Sequence, residues 1–128
     1  MKKMIALLLA AMMVLSMAAC ASKTADSDLA YIQDKGTLVI GITDFEPMDY
    51  KDADGSWIGF DADMAKAFAE SLGVTAEFVE IDWDNKILEL DSKTIDCVWN
   101  GMTLTAEVTS TMECSNAYCN NAQVIVTK

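Results

Sequence analysis

Three short segments of this 128-residue chain combine aromatic rings, hydroxyls, amides and carboxylates within a few positions of one another. They are Thr43-Asp44-Phe45, Asp82-Trp83-Asp84 and Asn100-Gly101-Met102-Thr103-Leu104-Thr105. Each follows an apolar run that is typical of a buried strand. Because ligands of parallel sheets bind beyond the carboxyl ends of the strands, we expect these segments to meet at one edge. Such a set suits a small polar zwitterion, since a carboxylate can pair with its ammonium and rings can cover its side chain.

The composition excludes several other chemistries. All nine basic residues are Lys, against 20 Asp and Glu, and the chain contains neither His nor Arg. A catalytic triad built on His and a His metal site are therefore excluded, and we predict no catalytic residue, metal or cofactor. The formal net charge of −11 and a pI near 4.1, without a basic stripe, argue against nucleic acid as a partner.

The first twenty residues have the pattern of an export signal. Lys2 and Lys3 precede an apolar run from Met4 to Leu15, which is too short for a membrane span of about 20 residues. Met17-Ala18-Ala19-Cys20 resembles a bacterial lipobox, which implies cleavage before Cys20 and attachment of lipid to its sulfur. An ordinary signal peptide with an incidental cysteine is the alternative.

These features predict the organisation of the chain. Residues 1–19 would be a lipoprotein signal peptide, residues 20–27 a tether, and residues 28–128 a folded domain. The lipid anchor would hold the exported protein to the outer face of the cell membrane or in the periplasm.

Export would place three further cysteines in a non-cytosolic environment. Cys114 and Cys119 lie close together in a loop-like stretch, and we predict a disulfide between them, with free thiols as the alternative. Cys97 lies in an apolar segment, where it is expected to pack as a small hydrophobic residue.

Strand and helix patterns alternate along the remaining chain. The strands are predicted at 37–42, 74–81, 95–99 and 123–127, and the helices at 28–34, from Asp61 to Gly73, after Asp82 or Asp84, and from Thr105 toward Met112. Asp54-Gly55 indicates a hairpin turn, and Asp61 is expected to cap its helix. The order predicts an α/β domain whose strands form a parallel sheet.

Residues 37–128 resemble the N-terminal part of amino-acid ABC importer solute-binding proteins, the extracellular solute-binding protein family 3. The matching motifs are Gly36-Thr-Leu-Val-Ile-Gly41, Phe45-x-Pro47, Gly59-Phe60-Asp61-Ala62-Asp63, Asp82-Trp83, Gly101-Met102-Thr103-Leu104-Thr105 and Ser115-Asn116-Ala117-Tyr118. The resemblance implies a type II periplasmic-binding-protein fold, with two lobes that close on a ligand. Residues 28–128 would then be a truncated first lobe, because members of the family are about twice as long.

The resemblance also implies roles for individual residues. Phe45 and Trp83 would sandwich the ligand's side chain, while Gly101 and Thr103 would contact its carboxylate. Asp44, with Thr43 as its alternative, would contact the ammonium. Asn100 would lie at the pocket edge, and Thr105 would either bind the ligand or cap its helix. The plainer alternatives are that Phe45 packs within its loop and that Trp83 covers a helix end.

One departure from the family concerns the ligand carboxylate. The family usually has an Arg at the position of Val108 to pair with that group, and this chain has no Arg. Backbone amides near Thr103 and Thr105 could replace it, Lys86 could reach in, or the ligand is not a standard α-amino acid.

The function predicted from the resemblance is binding rather than catalysis. A monomeric, lipid-anchored protein would deliver an amino acid to the permease of an ABC importer, with no cofactor. The alternatives are a dehydratase-like enzyme on the same scaffold, with Glu46 or Asp82 as its acid, a ligand-sensing domain, and an inert lipoprotein.

Overall fold

A computed structural model of the chain describes residues 27–122 and 124–128. The chain divides into two compact units, Met1–Tyr31 and Ile32–Lys128. Of the first unit the structure describes residues 27–31, which begin helix α1 (Asp28–Lys35), with the Ala30 N–H donating to Ser27 Oγ at 3.1 Å. The predicted signal peptide, Cys20 and the tether up to residue 26 lie outside the described residues, so these predictions stand as they were made.

The sheet of the second unit has three parallel strands in the order β4-β1-β5. They are β1 (Thr37–Ile42), β4 (Thr75–Glu80) and β5 (Cys97–Val98). Thr37 pairs with Thr75, and Ile40 with Cys97. This arrangement confirms the predicted α/β fold with a parallel sheet, in which the central strand β1 is buried along most of its length.

The other elements connect these strands. They are the hairpin strands β2 (Tyr50–Lys51) and β3 (Trp57–Ile58), α2 (Phe60–Ser71), a 3-10 turn (Trp83–Asn85), α3 (Lys86–Asp91) and α4 (Ala106–Thr111). Gly55 has a φ of 81° in the hairpin loop, as the Asp-Gly signal predicts. No helix within the described parts of the chain is long and apolar enough to cross a membrane.

The core lies between the sheet and α2. One cluster of buried side chains joins Ile32 and Leu38 to Ala65 and Ala69, and a second joins Ile42 to Trp57 and Ala62. Phe78 of β4 packs against both clusters. The sheet is therefore anchored on one side by the apolar face of α2, which fixes where the strands end.

The predicted fourth strand at 123–127 is wrong for the part the structure describes. Residues 124–128 form no strand, and Val124, Ile125 and Val126 are 79%, 92% and 90% exposed. An apolar run becomes a strand only where another strand offers hydrogen bonds and a face to cover. Residues 124–128 have no such neighbour among the strands of this sheet.

The predicted cap of α2 is also wrong. Gly59 occupies the N-cap position with a φ of 112° and no side-chain cap, and Asp61 lies in the first turn with its side chain fully buried. A Cβ on residue 59 would collide with the Met48 carbonyl oxygen, so the close approach of the segment that precedes β2 requires glycine there. Of the two residues predicted to start the next helix, Asp82 caps the 3-10 turn by accepting from the Asp84 N–H (3.0 Å). The cap predicted at Thr105 is confirmed, since its hydroxyl accepts from the Val108 N–H (3.3 Å).

Candidate functional site

The loops that follow β1, β4 and β5 line one cavity of about 430 Å³, which we call the recess. It is lined by Thr43, Phe45, Trp83, Lys86, Asn100, Gly101, Met102, Thr103, Thr105 and Val108. Parallel strands bring their carboxyl ends to one edge of the sheet, which is why segments 40 and 60 residues apart in the sequence lie together here. Every residue of the sequence-based site except Asp44 is in this lining.

Phe45 is held at the edge of the recess by its own loop. Its N–H donates to the Asp49 carbonyl at 2.6 Å, and its carbonyl accepts from the Asp49 N–H at 3.0 Å. The ring is 50% exposed, and a Cβ on Gly101 would lie 3.0 Å from its Cε1. Phe45 thus lies against the bare backbone of Gly101 and leaves one half of the ring free for a ligand.

Trp83 lies on the loop that follows β4, and the ammonium of Lys86 lies over its ring. Asp82 caps the 3-10 turn that begins at Trp83. Lys86 Nζ lies 4.6 Å from the centroid of the Trp83 ring and donates to the Trp83 carbonyl at 3.0 Å. The half-buried indole therefore holds a positive charge beside the recess.

Thr43 and Asn100 join the loops after β1 and β5. Asn100 Nδ2 donates to Thr43 Oγ1 at 2.7 Å, and the Thr43 N–H approaches Asn100 Oδ1 at 3.4 Å. The amide of Asn100 is thus used to fix the two loops in register. Asp44, the neighbour of Thr43, is exposed and is not among the residues that line the recess.

The hydroxyls of Thr103 and Thr105 also have protein partners. Thr103 Oγ1 accepts from Asn121 Nδ2 at 3.2 Å, and Thr105 Oγ1 accepts from the Val108 N–H at 3.3 Å. Capping by Thr105 does not exclude a ligand contact, because a hydroxyl that accepts still has its proton to donate.

A second cavity of about 430 Å³ adjoins the recess and shares Phe45, Gly101, Met102 and Thr103 with it. Its other lining residues are Pro47, Met48, Leu104 and residues 115–121. The site residues predicted from the sequence do not include segment 115–121, although its Ser-Asn-Ala-Tyr motif was a signal that could have indicated it. A more open groove of about 560 Å³ lies away from these loops, between the hairpin and β4.

Two carboxylates that sequence reasoning missed as a pair are buried behind the hairpin loop. Asp49 and Asp61 are fully buried, and their four carboxylate oxygens form no hydrogen bond of good geometry within the described residues, although the Ala62 N–H faces Asp49 and the side chains of Tyr118 and Trp99 face Asp61. Burial, with the charge of Asp61, raises the pKa of Asp49 to about 7. Burial also raises the pKa of Asp61, and hydrogen bonding by the side chains of Tyr118 and Trp99 partly opposes this increase. Neither carboxylate lines either cavity.

The three cysteines in the described part of the chain, Cys97, Cys114 and Cys119, are free thiols in this structure. The bridge between Cys114 and Cys119 therefore stays a prediction. Cys97 packs against the core as expected, and burial raises its pKa to about 12. Within residues 27–122 and 124–128 no three His, Cys, Asp or Glu side chains lie close enough to hold a metal ion.

A parallel α/β lobe with a ligand-sized recess at the carboxyl ends of its strands defines the class of small-molecule-binding domains. Residues 38–128 match the model of the bacterial extracellular solute-binding proteins, family 3, and the chain belongs to this family.

Curated relatives include binding proteins and an enzyme. The chain is 35% identical to the arginine-binding extracellular protein ArtP of Bacillus subtilis, over 100% of this chain and 49% of that protein. It is 32% identical to the L-cystine-binding protein TcyJ of Escherichia coli, over 76% of this chain and 37% of that protein. It is 33% identical to the cyclohexadienyl dehydratase of Pseudomonas aeruginosa, over 78% and 38%. The chain thus spans about half or less of the length of these relatives.

Solved structures agree with this assignment. An ancestral cyclohexadienyl dehydratase superposes with a TM-score of 0.70 at 39% identity, covering 75% of this chain and 40% of that chain. An ancestral cationic amino acid solute-binding protein gives a TM-score of 0.62 at 44% identity, covering 66% and 37%. The arginine-bound domain 1 of TmArgBP gives a TM-score of 0.59 at 38% identity, covering 62% and 64%. The chain therefore has the fold of a type II periplasmic-binding-protein domain.

Proposed function

We propose that this chain is the ligand-binding first lobe of a lipid-anchored extracytoplasmic solute-binding protein. The whole protein would bind a polar amino acid or a related zwitterion and deliver it to the permease of an ABC importer. The observation that carries the proposal is the recess, which Phe45, Trp83 and Thr103 line together although they come from three loops. The family and the relatives named for arginine and cystine binding support the class of ligand.

Seven residues of the recess have proposed parts in this binding. The rings of Phe45 and Trp83 would cover the side chain of the amino acid, and Gly101 and Thr103 would donate hydrogen bonds to its carboxylate. The ammonium contact first assigned to Asp44 passes to its alternative Thr43, because Thr43 lines the recess. The other recess contacts are assigned to Asn100 at the edge and to Thr105 at the start of α4.

Export and anchoring rest on different support. The family consists of extracellular proteins, which favours export, and the residues from Met17 to Cys20 have the lipobox pattern. Monomeric binding and delivery to a permease are the properties that the family resemblance implies.

Calorimetry of the purified chain against the twenty amino acids and L-cystine tests the binding. The arginine-bound domain 1 of TmArgBP is the precedent for measuring a ligand on one lobe. We expect one ligand or a small group to bind, and we expect this binding to be weaker in Phe45→Ala and in Trp83→Ala. Phe60→Ala is the matched control, since Phe60 is 49% exposed, close to the 50% of Phe45, but lines neither cavity. A folded chain that binds none of these compounds would contradict the proposal.

The similarity to an ancestral cyclohexadienyl dehydratase favours a second candidate, a dehydratase-like enzyme. Such a reaction needs a carboxyl group at the reacting atoms. Glu46 and Asp82, the candidates from the sequence, are both absent from the lining of the recess. We therefore expect no turnover of a cyclohexadienyl acid. Turnover that Glu46→Gln or Asp82→Asn abolishes would favour the enzyme.

A further inference from the structure

The one charged side chain that lines the recess is a lysine, although the chain as a whole is acidic. Among the residues that line it, Lys86 carries the only charge, and no Asp or Glu is present. The whole chain has a formal net charge of −11. The lining of the recess thus contains a lysine and no carboxylate, which favours an anionic group as the occupant of the recess.

The hydroxyls of the recess have the same preference. Thr43, Thr103 and Thr105 each accept a hydrogen bond from a protein donor, namely Asn100 Nδ2, Asn121 Nδ2 and the Val108 N–H. A hydroxyl that accepts in this way has its proton to donate. The hydroxyl protons of Thr103 and Thr105 are therefore available to a group that accepts hydrogen bonds, such as a carboxylate, while Thr43 is assigned to the ammonium.

Lys86 is held beside the recess with donors to spare. Its ammonium donates to the Trp83 carbonyl at 3.0 Å and lies 4.6 Å from the centroid of the Trp83 ring. Within the described residues, the ion pairs are formed by Lys35, Lys51 and Lys66, and Lys86 has none. Because an ammonium has three N–H donors, two stay available for a ligand.

We propose that Lys86 is the specificity-determining cation of the recess and binds the carboxylate of the ligand, assisted by the hydroxyls of Thr103 and Thr105. This inference rests on the proposed function, since it concerns the same recess. It accounts for carboxylate binding in a chain without Arg. It also explains the place of Trp83, whose carbonyl and ring position the lysine as well as covering the ligand.

The test compares amino acids with their carboxamides, which keep the shape of the acid and remove its charge. Calorimetry is performed on the wild type, Lys86→Gln and Lys86→Arg with the twenty L-amino acids, L-cystine and the corresponding amides. We expect the wild type to prefer the acid by about tenfold to hundredfold, the range of a charge-assisted hydrogen bond. Lys86→Gln should lose this preference, and Lys86→Arg should retain much of it.

Lys51→Gln is the matched control. Lys51 Nζ lies 4.9 Å from the centroid of the Trp57 ring, so it has the same cation-over-indole geometry outside the recess. This variant should keep the preference for the acid. Thermal melting of all variants checks that each one is folded.

The outcomes separate this inference from the proposed function. If Lys86→Gln still prefers the acid, or if the wild type binds acid and amide equally, the role of Lys86 is overturned and amino-acid binding stands. If the folded wild type binds no amino acid at all, both are overturned.

Discussion

The ring of Phe45 rests on the backbone of Gly101, so closely that a Cβ on residue 101 would lie 3.0 Å from Cε1 and 3.3 Å from Cδ1. This contact is shared by the recess and the second cavity, because both residues line both of them. The Phe45 ring thus lies between the recess and the second cavity, and its position depends on the absence of a side chain at Gly101.

Gly101→Ala should displace the Phe45 ring and weaken ligand binding by about tenfold, with a change in the free energy of unfolding below about 1 kcal/mol. Stability should change little because the ring is half exposed and can move. Calorimetry and thermal melting measure the two effects. Phe45→Ala removes the obstacle, so in that background Gly101→Ala should cost nothing further. An equal cost in both backgrounds would show that the ring is not the cause.

Asn100→Ala should lower the free energy of unfolding by about 1–2 kcal/mol, because it removes both hydrogen bonds between Asn100 and Thr43. Denaturant unfolding measures the loss. Asn85→Ala is the control, since Asn85 stands at the N-cap of α3 without a side-chain hydrogen bond to that helix. Equal losses in the two variants would mean that the link between the loops contributes little.

The buried carboxylate of Asp49 should make the chain lose stability as the pH rises. Its pKa is about 7 in the folded chain against a usual value of 3.8. Between these values the unfolded chain has released the proton that the folded chain keeps, so unfolding is favoured by up to roughly 1.4 kcal/mol per pH unit. Below pH 4 and above pH 7 this contribution is constant.

Asp49→Asn should remove that slope and make the chain more stable than the wild type at pH 8. Urea unfolding at several pH values gives the comparison, and the difference between variant and wild type gives the contribution of Asp49 together with its coupling to Asp61. The exposed Asp91→Asn should follow the wild-type profile. Parallel profiles for Asp49→Asn and the wild type would refute the assigned pKa.

Cys20→Ser should abolish the proposed lipid attachment and release the protein from the membrane fraction, because residues 17–20 resemble a lipobox whose cysteine sulfur would carry the lipid. Metabolic labelling with a radioactive fatty acid, followed by fractionation, measures both effects. Cys114→Ser should keep the label. If Cys20→Ser remains labelled, the signal is not that of a lipoprotein.

The sequence was informative where the signal is local. The strand over Thr37–Ile42, the hairpin turn at Asp54-Gly55 and the caps at Asp82 and Thr105 agree with the structure. Each depends on a few adjacent residues: an apolar run between glycines, a dipeptide that accepts a positive φ, or a side chain that reaches its own helix.

The sequence was misleading where a residue's partner is distant. Asp61 has the local pattern of a cap, but the close packing of the Met48 carbonyl gives the cap position to Gly59 and buries the carboxylate near Asp49. Residues 124–128 have the pattern of a strand, but a strand forms only with a paired neighbour.

For the binding site, the order of strands and helices alone determined that three loops would share one edge of a sheet. Only the tertiary structure decided that Thr43 rather than Asp44 lines the recess and that Lys86 lies over the Trp83 ring. The physical reason is that the succession of strands and helices follows from the periodicity of apolar residues along the chain. The placement of a side chain and its charge state depend instead on the loops packed against it.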